Sequence, residues 1–261
     1  MEKISIIKIG GNIIDNEVNL ASFLTEFSRI EGPKILVHGG GKLATKIAGD
    51  LNIPQQMVDG RRITDAATLK IVTMVYAGYI NKNIVAALQS KNINALGICG
   101  ADANIIRAHK RMHANIDYGF VGDIDAVDTE KIIQLLEAGL SLVVAPITHD
   151  GAGQLLNTNA DTMAQAIATA ISAVYEVSLV YSFEKKGVLS DIYNNDSVIS
   201  VINLENYATL KASGQVNEGM IPKLDNAFKA LQNGVNRVII GDALDIKKLI
   251  AGEAGTTIQK N

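Results

Sequence analysis

The chain has 261 residues, of which 48% are hydrophobic and 20% are charged, and its formal net charge is −3 at pH 7. This composition is typical of a globular protein with a sizeable core, and it gives no sign of a nucleic-acid partner or a membrane surface. The apolar runs are shorter than the ~20 residues that a membrane span needs, and the N-terminus has no signal-peptide pattern. Cys99 is the single cysteine, which excludes an internal disulfide, so we expect a cytoplasmic protein with Cys99 as a buried strand thiol. The four histidines show no metal-ligand spacing.

Strand and helix patterns alternate along the first part of the chain. Apolar runs predict strands at 4–9, 34–38, 93–98 and 142–146. Amphipathic runs predict helices at 16–29, 42–51, 81–89 and 129–138, and another through 69–76 that Thr64 or Asp65 caps. The polar, irregular residues 101–127 favour short hairpins.

The alternation continues in the second part of the chain. Strands are predicted at 178–181, 198–202 and 235–240, with an edge strand at 255–258, and helices at 162–170 and 204–212. A further helix opens at Pro222, a residue that only the first turn of a helix tolerates. We expect one domain with two halves, 1–173 and 174–261.

Residues 153–161 carry Asn157, Asn159 and Asp161 between a predicted buried strand and a predicted helix. In open parallel sheets, ligands bind at the carboxyl ends of the strands. A helix cap needs only one such polar residue. We therefore interpret the stretch as a functional loop as well as a cap.

Glycine turns directly follow the first two predicted strands, as Gly10-Gly11 and as Gly39-Gly40-Gly41. Glycine lets the backbone approach a ligand closely, and amides at a helix start point toward anions. Neither turn has the spacing of a P-loop or a dinucleotide fingerprint. Lys8 lies inside the first strand, where burial is costly unless it meets an anion or reaches water.

Two other cationic positions each have two interpretations. Arg61 and Arg62 form either a solvated surface pair or a planar clamp for a carboxylate. Lys223 lies near the positively polarised start of a helix, either as a surface lysine or beside an anion.

Five motifs then occur in order along the chain. They are Lys8-x-Gly10-Gly11, His38-Gly39-Gly40-Gly41, Gly60-x-Arg62-Ile63-Thr64, Asn157-x-Asn159-Ala160-Asp161 and Gly219-Met220-Ile221-Pro222-Lys223. By these motifs the chain resembles the amino acid kinase family, and within it the branch that acts on N-acetylglutamate. The resemblance spans Ile4 to Ile258.

The resemblance implies an α/β fold, a three-layer αβα sandwich with a mostly parallel central sheet of about eight strands. It also implies that the γ-phosphoryl group of ATP passes to the side-chain carboxylate of an N-acylated glutamate, the second step of arginine biosynthesis. Mg²⁺ would arrive on the ATP phosphates, so no protein metal ligand is expected.

The resemblance also implies roles for individual residues. Lys8 and Lys223 would stabilise the transferred phosphoryl group, and Asp161 would orient both ammonium groups. Gly10 and Gly11 would bind phosphate. The substrate-binding residues would be Gly40, Gly41, Arg62 and Asn157, with Arg62 on the α-carboxylate.

One loop departs from the pattern of the family. The nucleotide loop usually reads Ser or Thr, then Asp-Val-x-Gly, whereas this chain has Ser182-Phe183-Glu184-Lys185-Lys186-Gly187. Contacts with ATP are assigned on this side to Phe183, Lys186, Gly187, Val216 and Asn217. The acyl group is either acetyl or succinyl; residues 58–65 and 119–123 would line its pocket, and a charged acyl end would need Arg61 or Lys42.

Arginine-inhibited hexameric relatives carry an extra helix before the first strand, which predicts a homodimer without arginine feedback here. Two other functions stay open at this point. One is another amino acid kinase, acting on carbamate, aspartate or free glutamate. The other is a non-catalytic, nucleotide-sensing protein of the same fold.

Overall fold

Strands and helices alternate along the chain in the computed structural model, which describes residues 1–58, 61–191, 193–213, 216 and 220–260. The strands are β1 (Glu2–Ile9), β2 (Lys34–His38), β3 (Met57–Val58), β4 (Arg61–Arg62), β5 (Ala95–Cys99), β6 (Ile106–Lys110), β7 (Gly122–Val127), β8 (Ser141–Ala145), β9 (Ile147–His149), β10 (Leu155–Asn157), β11 (Tyr175–Phe183), β12 (Val201–Ile202), β13 (Arg237–Asp242) and β14 (Thr256–Ile258). The α-helices are α1 (Gly11–Ile14), α2 (Glu17–Ser28), α3 (Gly41–Asp50), α4 (Ala66–Thr73), α5 (Asn81–Gln89), α6 (Thr129–Glu137), α7 (Ala160–Ile171), α8 (Leu204–Ala212), α9 (Ile221–Gln232) and α10 (Ile246–Ala251).

The central sheet has eight strands in the order β12-β14-β13-β11-β1-β2-β8-β5. Every neighbouring pair is parallel except β13 and β14. The predicted eight-stranded, mostly parallel sheet is therefore confirmed. The prediction of 255–258 as an edge strand is wrong, because β14 lies between β13 and β12, and Val201–Ile202 forms the edge.

Helices cover both faces of this sheet. Along β1, Ile4 and Ile6 belong to a core cluster with residues of α6, α7 and α9. Ile7 and Ile9 belong to a second cluster, with residues of α2, α3 and α5. Because successive strand residues point to opposite faces, the two clusters mark two helical layers around the sheet. The predicted three-layer αβα sandwich is confirmed.

A continuous helical run of 24 residues, Ala66–Gln89, joins α4 and α5 through a π-helical segment, Met74–Ile80. By length and composition, it is the one helix among the described residues that could cross a membrane, which is a weak indication because core helices pass the same test. Val72 and Ile84, which belong to this run, are buried in the core. Polar residues interrupt the run, so the sequence shows no unbroken apolar stretch of this length.

A smaller sheet, in the order β10-β9-β6-β7, lies beyond the end of β8. The antiparallel pair of β6 and β7 confirms the hairpin predicted within 101–127. The interpretation of 153–161 as a loop is wrong for Leu155–Asn157, which pairs with β9. The reason is local: Leu156 is buried, and Gly151 and Gly153 adopt the positive φ angles that a tight turn requires.

Cys99 ends β5 and is half-buried, so the expected burial of this strand thiol is only partial. Burial raises the pKa of the Cys99 thiol, which keeps it protonated and unreactive.

Candidate active site

The two glycine turns lie side by side because β1 and β2 are adjacent parallel strands, paired with Ile9 opposite His38. The backbone N–H of Gly39 donates to the carbonyl of Ile9 across 3.3 Å. Gly40 has φ +151°, a backbone conformation that residues with a side chain rarely adopt, and a Cβ there would lie 2.4 Å from Cδ1 of Ile80 and 3.0 Å from the Tyr76 ring, so a substitution at this position would be strained. Gly11 opens helix α1 and Gly41 opens α3, so two helix N-termini begin at one edge of the sheet.

A cavity of about 180 Å³ opens beside these turns. It is lined by Gly39, Gly40, Gly41, Met57, Arg61, Arg62, Tyr76, Val121, Pro146, Asn157, Thr158, Asn159 and Ala160. The cavity thus brings together the four residues assigned to substrate binding. It also receives residues from both predicted lining segments, 58–65 and 119–123. The lining combines an apolar wall with guanidinium, amide and backbone groups, as small-molecule sites do.

Arg62 is 7% exposed and held from three sides. Its guanidinium group donates to the carbonyl of Gly41 (2.8 Å), to the hydroxyl of Thr45 (2.9 Å) and to the side-chain oxygen of Gln55. These bonds fix the guanidinium plane before any ligand arrives, so the arrangement fits a clamp and excludes a solvated surface arginine.

Asn157 lies at the end of β10 and is 8% exposed. Its side-chain amide donates to the hydroxyl of Thr64 (3.0 Å), and its backbone N–H donates to the carbonyl of Phe120 (2.8 Å). These two bonds fix Asn157 in the wall of the cavity.

Arg61 and Lys42 lie in different places. Arg61 lines the same cavity, and burial and the neighbouring Arg111 lower its pKa, against the opposing effect of Asp123. Lys42 lines a separate groove, together with Lys46. Of the two cations considered for a charged acyl end, only Arg61 lines the cavity that holds Arg62.

Lys8 and Asp161 form an ion pair of 2.8 Å between β1 and the first turn of α7. Their side chains are 16% and 25% exposed. Burial alone would raise the pKa of Asp161, but the charge of Lys8, its hydrogen bond and the charge of Lys223 bring that pKa below the usual value. Asp161 is therefore ionised, as a carboxylate between two ammonium groups should be.

The start of α7 also fixes the position of Asp161. The side chain of Asn159 caps the helix by accepting from the N–H groups of Asp161 (2.9 Å) and Thr162 (3.0 Å). The buried hydroxyl of Tyr181 donates to the carbonyl of Asp161 (3.3 Å). The polar stretch is thus both a helix cap and a part of the site.

Lys223 lies in the first turn of α9, and its Nζ is 4.5 Å from the centre of the Phe183 ring. Burial lowers the pKa of Lys223, and Lys8 adds to this effect, while Asp161 opposes it. The aromatic face stabilises the ammonium charge without occupying its N–H donors.

The other residues assigned to ATP have diverse surroundings. Lys186 is exposed and pairs with Asp196 (2.6 Å). Gly187 is buried, and a Cβ there would lie 2.7 Å from the hydroxyl of Thr256. Val216 is 3% exposed and belongs to the core. Asn217 lies outside the described residues, as do Gly60 and Gly219 of the motifs.

Tyr76, Thr45 and Gln55 are residues of the candidate site that sequence reasoning missed. Tyr76 lines the cavity, and the other two hold Arg62. Tyr76 and Thr45 lie within helices, where their spacing looks like ordinary helix sequence. No local pattern distinguishes them, because their partners are distant along the chain.

The parallel sheet, the paired glycine turns and the clustered lysine and aspartate side chains define a phosphoryl-transfer enzyme. Residues 3–242 match the model of the amino acid kinase family, and the chain belongs to this family.

Curated relatives narrow the similarity within the family. The chain is 59% identical over 251 residues to the acetylglutamate kinase of Cytophaga hutchinsonii, covering 96% of this chain and 95% of that protein. It is 52% identical over 259 residues to the acetylglutamate kinase of Bacteroides fragilis, covering 99% and 98% of the two chains. Among solved structures, the crystal structure of smu.665 from Streptococcus mutans superposes with a TM-score of 0.80 at 26% identity, over 100% of both chains.

The Lys8–Asp161 pair predicts a loss of stability in acid. Because the pKa of Asp161 is lower in the folded than in the unfolded chain, the pair stabilises the fold fully above the unfolded value of 3.8. That contribution disappears as the pH falls through the folded value. Urea unfolding of the wild type and of Asp161→Asn at about pH 7 and at about pH 2, well below 3.8, should show the excess free energy of unfolding of the wild type narrowing in acid. The prediction would be contradicted if the difference in free energy of unfolding between the wild type and Asp161→Asn stayed constant or grew in acid.

Proposed function

We propose that the chain catalyses the transfer of the γ-phosphoryl group of ATP to the side-chain carboxylate of N-acetylglutamate, a step of arginine biosynthesis. The observation that carries the proposal is the position of Lys8, Asp161 and Lys223 at the carboxyl edge of the sheet, beside a cavity with a fixed arginine. The name shared by the most similar relatives supports the same substrate.

In the proposed reaction, a carboxylate oxygen of the substrate forms a bond to the γ-phosphorus. The bond from that phosphorus to the bridging oxygen of ATP breaks, and ADP leaves. The attacking carboxylate has no proton to lose, so Asp161 is not a general base. Lys8 and Lys223 stabilise the negative charge on the transferred group, and Asp161 holds Lys8 in place.

Backbone groups complete the site in this proposal. Gly10 and Gly11 bind the phosphate of the nucleotide, because their turn leads into a helix N-terminus and a Cβ on Gly10 would meet no atom within 4 Å. Gly40 and Gly41 bind the acylated glutamate. Arg62 binds its α-carboxylate, and Asn157 binds its other polar end.

Mg²⁺ is proposed to be carried by the phosphates of ATP, where it would neutralise charge. The described residues contain no group of three or more His, Cys, Asp or Glu side chains that could hold a metal ion. Asp161, the carboxylate nearest the lysines, is already paired with Lys8. This donor set fits an ion held mainly by the nucleotide.

ATP is assigned to the half formed by residues 174–261, and the acylated glutamate to residues 1–173. Phe183 and Lys186 remain the described candidates for nucleotide contact, since both lie at the carboxyl end of β11. Gly187 and Val216 contribute by shaping the fold there, because both are buried. We further propose a cytoplasmic homodimer.

The acyl group is proposed to be acetyl. The cavity of about 180 Å³ is small, and Met57, Val121 and Pro146 provide apolar surface for a methyl group. A succinyl group would add a carboxylate, for which Arg61 is the available cation. A nucleotide sensor without catalysis is disfavoured, because it would not need the costly grouping of two ammonium groups around one carboxylate.

The test is ADP release from ATP and Mg²⁺ with N-acetylglutamate, N-succinylglutamate and free glutamate compared at equal concentration. Turnover with N-acetylglutamate above the other two is the expected result. Preference for the succinyl compound would correct the acyl group and keep the reaction. Turnover with free glutamate alone, or with none of the three, would contradict the proposal.

Replacing either site lysine should slow the chemical step. Lys8→Ala and Lys223→Ala should each lower kcat by about 10²–10³-fold with a smaller change in KM, because their contacts strengthen in the transition state. Steady-state kinetics measure this, with Lys70→Ala, at an exposed lysine of α4, as the control that keeps wild-type kcat. An unchanged kcat would remove that lysine from the mechanism.

Arg62→Ala should act mainly on substrate binding. Loss of a charge-assisted contact to the α-carboxylate should raise KM for N-acetylglutamate by about 10–100-fold and leave KM for ATP nearly unchanged. Arg107→Ala, at an exposed arginine of β6, is the matched control. An effect on ATP alone would mean that the two substrates bind in the reverse orientation.

A further inference from the structure

His38 ends β2 and directly precedes the glycine turn, and its side chain is completely buried. Asn81, at the start of α5, is also completely buried and contacts it. Buried polar groups are costly unless each finds a hydrogen-bond partner, so the pattern of partners determines which protonation state fits. None of the motifs that define the site includes Asn81.

The partners of Asn81 determine the orientation of its amide. The side-chain nitrogen lies 2.9 Å from the carbonyl oxygen of Val143, which can only accept. The side-chain oxygen accepts from Nζ of Lys82 (3.1 Å), which also donates to the carbonyl of Gly97 (2.7 Å). The second N–H of the amide therefore points to Nε2 of His38, 3.2 Å away.

This orientation selects one tautomer of His38. Since Asn81 donates to Nε2, that nitrogen carries no proton. Nδ1 carries the proton instead and donates to the carbonyl oxygen of Gly39 across 2.8 Å. Burial lowers the pKa of His38 to about 4, an effect that the charge of Lys82 increases and the bond to Gly39 opposes. The ring is therefore neutral at physiological pH.

The bond to Gly39 orients the next peptide group. The C=O of Gly39 and the N–H of Gly40 belong to one planar unit and point in opposite directions. A carbonyl held toward the buried ring therefore turns the N–H of Gly40 away from it. Gly40 lines the cavity, and within the described part of the chain its N–H makes no hydrogen bond to protein.

We propose that His38 is a positioning residue, whose Nδ1–H tautomer, selected by Asn81, holds the Gly39–Gly40 peptide so that the N–H of Gly40 donates to an oxygen of the reacting carboxylate or phosphoryl group. The inference rests on the proposed function, which supplies the anion. Asn81 does not contact the substrate in this proposal. It acts indirectly, by fixing the tautomer of His38, which in turn orients the Gly39–Gly40 peptide.

Two isosteric variants separate positioning from packing. The side-chain nitrogen of Asn lies as many bonds from Cα as Nδ1 of His, and the side-chain oxygen of Gln, an acceptor, lies as many bonds away as Nε2. His38→Asn therefore keeps a donor for Gly39, whereas His38→Gln loses it and keeps the contact with Asn81. We expect His38→Gln to lower kcat by about 10-fold or more and His38→Asn to stay within about 3-fold of the wild type. Equal kcat values in two variants with similar melting temperatures would overturn the inference.

The tautomer itself can be measured without any turnover. With ¹⁵N-labelled imidazole, NMR of the wild type should show His38 protonated at Nδ1 only, with no titration between about pH 5 and pH 8. Asn81→Asp should change this state, because a carboxylate can only accept and would draw a proton onto Nε2. Asn83→Asp, at an exposed site on the same helix, should not. A wild-type ring protonated at Nε2 would overturn the inference.

The two readouts also separate this inference from the proposed function. An active wild type with equal kcat in the two His38 variants would contradict the positioning role alone. An inactive wild type with the expected tautomer would contradict the proposed reaction and support the geometry on which the inference depends.

Discussion

The ion pair between Lys8 and Asp161 is the interaction on which the site depends. It joins β1, in the middle of the sheet, to the first turn of α7, where a carboxylate also complements the helix dipole. The charge of Lys8 lowers the pKa of Lys223 and that of Asp161 opposes this effect, so without the carboxylate the repulsion between the two ammonium groups would be uncompensated. The fold thus groups the ammonium groups of Lys8 and Lys223 around the carboxylate of Asp161, which compensates their charge when no ligand is bound.

Much of this arrangement could be predicted from the sequence because it is local. The strands around Lys8, the glycine turns after them and the cap at Asn159 follow from hydrophobic periodicity and glycine chemistry. The strand Leu155–Asn157 could not be predicted because three residues are too few to show a strand period. The position of β14 could not be predicted for another reason: the sequence of a short strand does not reveal whether one neighbouring strand or two pair with it.

The rest of the site depends on contacts between residues far apart in the chain. The sequence leaves Arg62 equally suited to the surface or to a clamp, and the choice is made by Gly41, Thr45 and Gln55. The protonation of His38 is likewise decided by a carbonyl on β8, through Asn81. His38 directly precedes the Gly39-Gly40-Gly41 turn, and Arg62 donates to the carbonyl of Gly41. The turn can thus be predicted from the sequence, whereas the side-chain contacts that support it cannot.

The π-helical segment Met74–Ile80 has a consequence for how this family of sequences can vary in length. A π turn holds one residue more than an α turn, so it behaves as an insertion that the helix absorbs without breaking. Tyr76, inside the segment, faces the cavity, while Asn81, just after it, faces His38. Deleting one residue between them would turn the second group by about 100° relative to the first, given 3.6 residues per turn. The helix therefore tolerates substitution between these two positions far better than any change in their spacing.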